Sequence, residues 1–251
     1  MIELVHLMKR FGDLVAVHDL SLTIPRGEFF AVLGPNAAGK STTLRILAGL
    51  IKPTSGSARV AGFDVQTQSM EARRRLAYVP DFPFLYDKLT PWEFFRFTGQ
   101  IFQMEETRVQ AGAKELIARF NLQPYLGKLI EGLSHGTRQR VAIASALLHD
   151  PEVFVLDEPM VGLDPHHTRV LKEILKEKSR QGMTIFISTH QLSVAEELAD
   201  RIGILHQGRL VALGTSEELR RQSGRDGALE ESFLALTEEE TVFAAEQGVA
   251  P

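Results

Sequence analysis

Apolar and polar positions alternate roughly over residues 2–7 and 20–24, where Leu20, Leu22 and Ile24 share one face, and both stretches read as strands. An unbroken apolar run follows, Phe29-Phe30-Ala31-Val32-Leu33, as expected of a strand covered on both faces. It runs into a Gly/Pro/Asn loop and then a helical pattern from Ser41 to about Leu50, with Leu44, Leu47 and Ala48 on the inner face. Short strands are expected at 58–61 and 76–79. From Pro91 to about Leu148 the period is helical, broken at Gln123-Pro124 and Glu131-Gly132. Strands return at 153–156, 184–188 and 202–205 with helical stretches between them, and His206-Gln207-Gly208-Arg209 reads as a hairpin turn. Strand and helix alternate at both ends of the chain around a helical block, so the expected fold is an α/β core, about 1–85 and 152–220, with a helical insertion at about 86–151.

Composition narrows the function classes. The 251 residues are 44% hydrophobic and 24% charged, enough apolar material for a core and too much for a disordered chain. Without cysteine there are no disulfides, thiolate nucleophiles or zinc–thiolate sites. No apolar run approaches the roughly 20 residues needed to span a bilayer, and the start of the chain does not read as a secretory signal. Net charge is −4, but residues 226–251 hold seven acids and no Lys or Arg, which leaves 28 basic against 25 acidic residues, or +3, in the rest. A nearly balanced body with an acidic tail at 221–251 gives no electrostatic case for nucleic acid. Leu229, Phe233 and Leu236 can form one apolar helix face within that tail.

The chemistry begins at Gly34-Pro35-Asn36-Ala37-Ala38-Gly39-Lys40-Ser41, which fits G-x-x-x-x-G-K-[ST] and lies where that motif requires, between a buried strand and a helix. Its glycines let backbone N–H groups turn toward phosphate oxygens, Lys40 reaches the β- and γ-phosphates, and the Ser41 hydroxyl ligates Mg²⁺. The bland alternative is an ordinary glycine-rich turn. Val153-Phe154-Val155-Leu156-Asp157-Glu158 is an apolar strand ending in two carboxylates. If it ends at the same sheet edge, Asp157 comes beside Ser41 and its metal, and Glu158 is placed to polarise a water; otherwise the pair is a solvated acidic turn.

Leu133-Ser134-His135-Gly136-Thr137-Arg138-Gln139-Arg140 precedes a helix rich in small residues. With GPNAAGKST, VFVLDEP, Gly162-Leu163-Asp164-Pro165 and Ser188-Thr189-His190 in this order, residues 1–220 resemble the ATP-binding-cassette (ABC) ATPases, the nucleotide-binding subunits of ABC transporters. The resemblance implies a P-loop (RecA-like) α/β core with an antiparallel β subdomain and a helical insertion, Mg²⁺-dependent ATP hydrolysis, and a dimer sandwiching two ATPs. It assigns Ser134 and Gly136 to the γ-phosphate of ATP held by the other subunit, 162–165 to the D-loop along the seam, and His190 to holding Glu158 and water in line. Thr42 joins the phosphate contacts, and Phe11 stacks on adenine with Ala16 beside the base, against the alternative of a core phenylalanine. It also implies a peripheral position on the cytoplasmic face of the membrane and a second subunit, identical or not. An integral membrane permease would dock in the 81–102 region, which carries eight of the chain's nineteen aromatic residues. Leu229–Thr237 resembles the ends of bacterial export-type subunits of the drug, antibiotic or lipid-linked class. A soluble cassette ATPase without a membrane partner stands as the alternative. A P-loop kinase or GTPase fits less well, because the guanine-specifying Asn-Lys-x-Asp is absent.

Four positions depart from the family's pattern. Ala37 stands in place of a loop glycine, tolerable only in an ordinary backbone region. His135 and Thr137 replace Gly and Gln in the signature. Asp81 replaces the Q-loop glutamine; it can reach Mg²⁺ through water but cannot donate to the attacking water.

Overall fold

The computed structural model describes residues 1–222; the expected apolar face of Leu229, Phe233 and Leu236 and the Leu229–Thr237 resemblance lie outside them. Two long strands, β1 (Ile2–Phe11) and β2 (Leu14–Ile24), open the chain and extend the stretches marked by alternation. β3 (Phe29–Leu33) leads into α1 (Lys40–Leu47), followed by β4 (Ser55–Val60), β5 (Phe63–Asp64), α2 (Ser69–Arg75) and β6 (Leu76–Val79). A helical block of α3 (Pro91–Ile101), α4 (Glu106–Arg119) and α5 (His135–Leu147) comes next, with 3₁₀ turns at Gln123–Tyr125 and Ile130–Gly132 where the sequence pattern breaks. The chain continues as β7 (Val153–Asp157), α6 (Pro165–Arg180), β8 (Thr184–Thr189), α7 (Leu192–Leu198), β9 (Arg201–His206), β10 (Arg209–Gly214) and α8 (Ser216–Gln222).

The strands form two sheets. One is antiparallel, in the order β2-β1-β4-β5; the other runs β10-β9-β3-β8-β7-β6, parallel except for the β9–β10 hairpin. The hairpin turns on Gln207 (φ 45°) and Gly208 (φ 79°), the pair of positive φ values that a two-residue turn matched to strand twist requires.

The run Phe29–Leu33 is unbroken because its sheet is buried on both faces. Phe29, Ala31 and Leu33 point into the core shared with the helical block, together with Phe154, Leu156, Ile185 and Ile187. Phe30 and Val32 point the other way, with Val153, Val155, Phe186 and α1, against the antiparallel sheet. Phe30 meets Phe186 edge-on, with ring centroids 5.2 Å apart.

Parallel register then fixes the site. Leu33 lies opposite Thr189 of β8, and Asp157 opposite Ser188 on its other side. The C-terminal ends of β3, β8 and β7 therefore meet at one edge, where an α/β sheet presents its ligand site.

Candidate functional site

The loop after β3 curls into α1 around Gly39, the N-cap residue at φ 100° with no side-chain cap. Only glycine fits: a Cβ there would lie 2.4 Å from the Ala16 carbonyl of β2. The first-turn N–H groups of Lys40, Ser41 and Thr42 carry no capping side chain, the arrangement that receives an anion. Gly34 is confined in the same way, with its Cβ direction filled by the Leu205 carbonyl at 2.3 Å. Asn36 and Ala37 are exposed at the loop's outer rim, and Ala38 is buried beneath it.

Lys40 is only 6% exposed, and its ammonium donates to the Gly34 carbonyl at 2.6 Å and the Pro35 carbonyl at 2.9 Å. Burial lowers its pKa, and the charges of Glu158 and Asp157 offset that only in part. A buried cation whose desolvation is incompletely compensated is stabilised by an added anion, so the loop fits a polyphosphate.

Asp157, 2% exposed, accepts the Ser188 hydroxyl at 2.5 Å. The same Ser188 oxygen accepts the Glu158 N–H at 3.1 Å, and the Ser188 carbonyl shares that donor at 3.2 Å. Glu158 is held at φ 48°, a left-handed conformation that costs on the order of 1–3 kcal/mol. One β8 residue thus holds the Asp157 carboxylate and the Glu158 backbone, a role no motif in the sequence assigns. Its only trace in the sequence is its place two residues before His190. His190 follows β8, and its Nδ1 lies 3.0 Å from Glu158 Oε1. Asp81 lies two residues beyond β6, whose last residue Val79 pairs with Leu156, so it reaches the same edge. Burial, and then the Asp157 charge, push the Tyr78 hydroxyl up to about 12.

The donor set also suits Mg²⁺, which takes hard oxygen ligands and commonly uses one or two protein groups with phosphates supplying the rest. Ser41 and Asp157 provide such oxygens. Among the described residues no cluster of three His, Cys, Asp or Glu side chains forms an all-protein cage.

Phe11 ends β1 half exposed, with Lys9 Nζ 4.7 Å from its ring centroid, so it is a rim residue rather than part of the core. Ala16 lies behind the loop, its carbonyl against Gly39 and Gly208.

Ala37 does not have the ordinary backbone its side chain calls for. Its φ is 66°, because the loop must turn left-handed there whichever residue occupies the position. Removing that strain outweighs the extra chain entropy of glycine, so Ala37→Gly is expected to stabilise the protein by about 0.5–1 kcal/mol, raising Tm by roughly 2 °C. Scanning calorimetry checks this; a lower Tm would show that no strain is held at Ala37.

The signature lies elsewhere. Ser134 caps α5, accepting the Thr137 N–H at 3.4 Å. Gly136 packs on the Gly162 carbonyl, where a Cβ would come within 2.5 Å, and the His135 ring covers Gly162 in turn. A cavity of about 320 Å³ opens between 134–137 and 162–164, and no phosphate-loop residue lines it. A single chain therefore brings Lys40, Asp157, Glu158 and His190 to one edge and leaves Ser134 and Gly136 at a separate surface.

The ABC transporter family profile matches residues 17–161, and a shorter stretch, 128–196, matches a profile described as AAA domain, putative AbiEii toxin, Type IV TA system. The ATP-binding protein NatA of Bacillus subtilis (strain 168), an ABC transporter component, is 35% identical, aligning with 87% of this chain and 91% of its own. The chain belongs to the ABC transporter ATP-binding family. The linearmycin resistance ATP-binding protein LnrL of the same strain is 32% identical over 95% of this chain and 76% of LnrL. A probable multidrug ABC transporter ATP-binding protein, YbhF of Escherichia coli (strain K12), is 35% identical over 94% of this chain, which spans 41% of YbhF's length. Among solved structures, an ATP-binding subunit of an ABC transporter superposes with a TM-score of 0.90 at 34% identity, covering 94% of this chain and 99% of that one. A cassette, MJ0796, captured as a dimer after hydrolysis with ADP and Pi, gives 0.77 at 28% identity, with 86% and 98% covered. Among the described residues of this ABC protein, no helix is long and apolar enough to cross a membrane.

Proposed function

We propose that this chain is the ATP-binding and ATP-hydrolysing subunit of an ABC transporter. It closes as a nucleotide-sandwich dimer and drives a separate membrane permease, with export as the direction. The observation that carries the reading is the Glu158–His190 contact at the sheet edge where the Lys40 loop begins. Lys40 and the first-turn N–H groups of α1 bind the phosphates of ATP, with Asn36, Ala37, Ala38 and Thr42 completing the loop, and Phe11 stacks on the base. His190 holds Glu158 Oε1 and leaves Oε2 to take a proton from water aligned on the γ-phosphate. Ser41 and Asp157 would hold Mg²⁺, with Asp81 reaching it through water. When bound, the ion neutralises phosphate charge. Ser134 and Gly136 lie apart from this edge, so they serve the ATP of an opposing subunit. The dimer of MJ0796 and the drug-resistance and multidrug names of LnrL and YbhF support the sandwich and the export branch.

Permease docking has its own support. Phe82, Phe84 and Tyr86 are exposed, Phe84 at 91%. They adjoin a groove of about 220 Å³ between 76–85 and α3 and α5, while Phe95 is fully buried and Phe94, Phe97 and Phe102 are partly covered. An apolar groove with an exposed aromatic rim accepts a short amphipathic helix. Tagged Glu158→Gln protein, pulled down with ATP from detergent-solubilised native membranes, is expected to retain a polytopic membrane protein that Phe84→Asp releases. Soluble partners alone would favour a cassette ATPase without a membrane partner, and the peripheral position at the cytoplasmic face would fall with the permease.

A further inference from the structure

The surface cavity between 134–137 and 162–164 is floored by Arg140, a guanidinium only 6% exposed. Its Nη1 donates to the Phe120 carbonyl at 2.7 Å and contacts His167 Nε2 at 2.8 Å. Its Nη2 donates to Thr137 Oγ1 at 3.0 Å, and its Nε donates to the Gly136 carbonyl at 3.3 Å. The chain of contacts continues at both ends. Thr137 Oγ1 lies 2.9 Å from Ser134 Oγ, and His167 Nδ1 lies 2.6 Å from Asp164 Oδ2.

Arginine can only donate, and that fixes the position of the His167 ring proton. His167 Nε2 must accept, so its ring proton sits on Nδ1 and is donated to Asp164. The Asp164 carboxylate is held down to about 2, first by the His167 backbone N–H and then by the imidazole. At the other end, Thr137 Oγ1 accepts from Arg140 and keeps its hydroxyl proton, which can be donated to Ser134 Oγ 2.9 Å away. With Thr137 as the donor, Ser134 Oγ accepts from both the Thr137 hydroxyl and the Thr137 N–H. Its own proton is left facing the open cavity, where Ser134 is exposed.

We propose that Thr137, Arg140 and His167 form a hydrogen-bonded relay between Asp164 and Ser134 that turns the Ser134 hydroxyl outward as a donor to the nucleotide anion held by the opposing copy. Thr137 and His167 are thus positioning residues, and they tie the signature to the D-loop through side chains. Thr137 stands where the family carries glutamine, and its hydroxyl supplies the acceptor–donor step that Ser134 needs. The proposal rests on the sandwich reading above, in which Ser134 meets the other subunit's ATP.

The test is steady-state ATPase kinetics on Thr137→Val, which keeps the side chain's shape and removes the hydroxyl. The relay predicts a fall of about tenfold in kcat/KM, the effect of a lost hydrogen bond to a charged group. Binding of a fluorescent ATP analogue to the monomer's own phosphate loop stays unchanged, and Thr137→Ser restores the rate. Thr137→Ala, at home in helix α5, carries the same expectation should the valine variant fold poorly. His167→Gln, which still offers Arg140 an acceptor, stays near wild type, whereas His167→Leu falls in the same direction as Thr137→Val. The opposite bond direction, Ser134 donating to Thr137, predicts that Thr137→Val equals or exceeds the wild-type rate. That result, with Ser134→Ala inactive, overturns the relay alone. Wild-type turnover in Ser134→Ala overturns the sandwich reading beneath it.

Discussion

Replacing Glu158 with glutamine is expected to lower ATP turnover about a thousandfold while leaving ATP affinity nearly unchanged. The amide matches the carboxylate in shape and still accepts from His190, whose Nδ1 lies 3.0 Å from Oε1 in the parent. It cannot take a proton from water, and general-base catalysis supplies roughly 10²–10⁴ of rate. The phosphate-binding groups, Lys40 and the N-terminus of α1, are not altered. The left-handed backbone of Glu158 and its bonds to Ser188 are main-chain features that the substitution keeps. Phosphate release in a single turnover is the appropriate readout, and a rate within tenfold of the parent would remove Glu158 from the role of base.

Lys40→Ala is expected to weaken ATP binding about a hundredfold and to lower turnover with it. Two charge-assisted hydrogen bonds to phosphate, each on the order of 1.5 kcal/mol, account for the loss. Lys40 also carries a signature that separates it from other binding residues. Burial lowers its pKa in the free protein. A polyphosphate beside it raises that value again, so at alkaline pH, between the two values, binding takes up a proton. Sign and window follow from the group being a base: below the lowered value both states are protonated and no uptake occurs. Calorimetric titration in buffers of different ionisation enthalpy measures the uptake, which Lys40→Ala should abolish. Unchanged affinity and uptake in that variant would place the phosphates elsewhere.

Much of this site is legible in the chain because its determinants are local. The phosphate loop needs glycine at 39 and a lysine and hydroxyl at the helix start, all within one turn of sequence. The strand carrying Asp157 is marked by an apolar run of the kind only a doubly covered strand shows, and parallel pairing with β8 aligns its end with that of β3. What the sequence does not reveal is long-range or conformational. Ser188 lies about thirty residues from the Asp157 carboxylate and Glu158 backbone that it holds, and no periodicity marks a serine as a hydrogen-bond hub. Arg140 and His167 meet across the boundary between helices α5 and α6. The left-handed backbone at Ala37 runs against its residue type, because the loop's geometry outweighs local preference. In the aromatic cluster the helical period shows that Phe94, Phe95 and Phe97 cannot share a face. Which ring is buried depends on α4 and α5 packing over Phe95.

In the proposed sandwich two chains complete each nucleotide site. Light scattering of Glu158→Gln protein with and without ATP reads this out as a change of mass. The sandwich predicts a mass that doubles from 27.9 kDa when ATP is added and returns to the monomer value when Ser134→Ala is combined with it. A 27.9 kDa species carrying bound ATP at every protein concentration would rule the sandwich out.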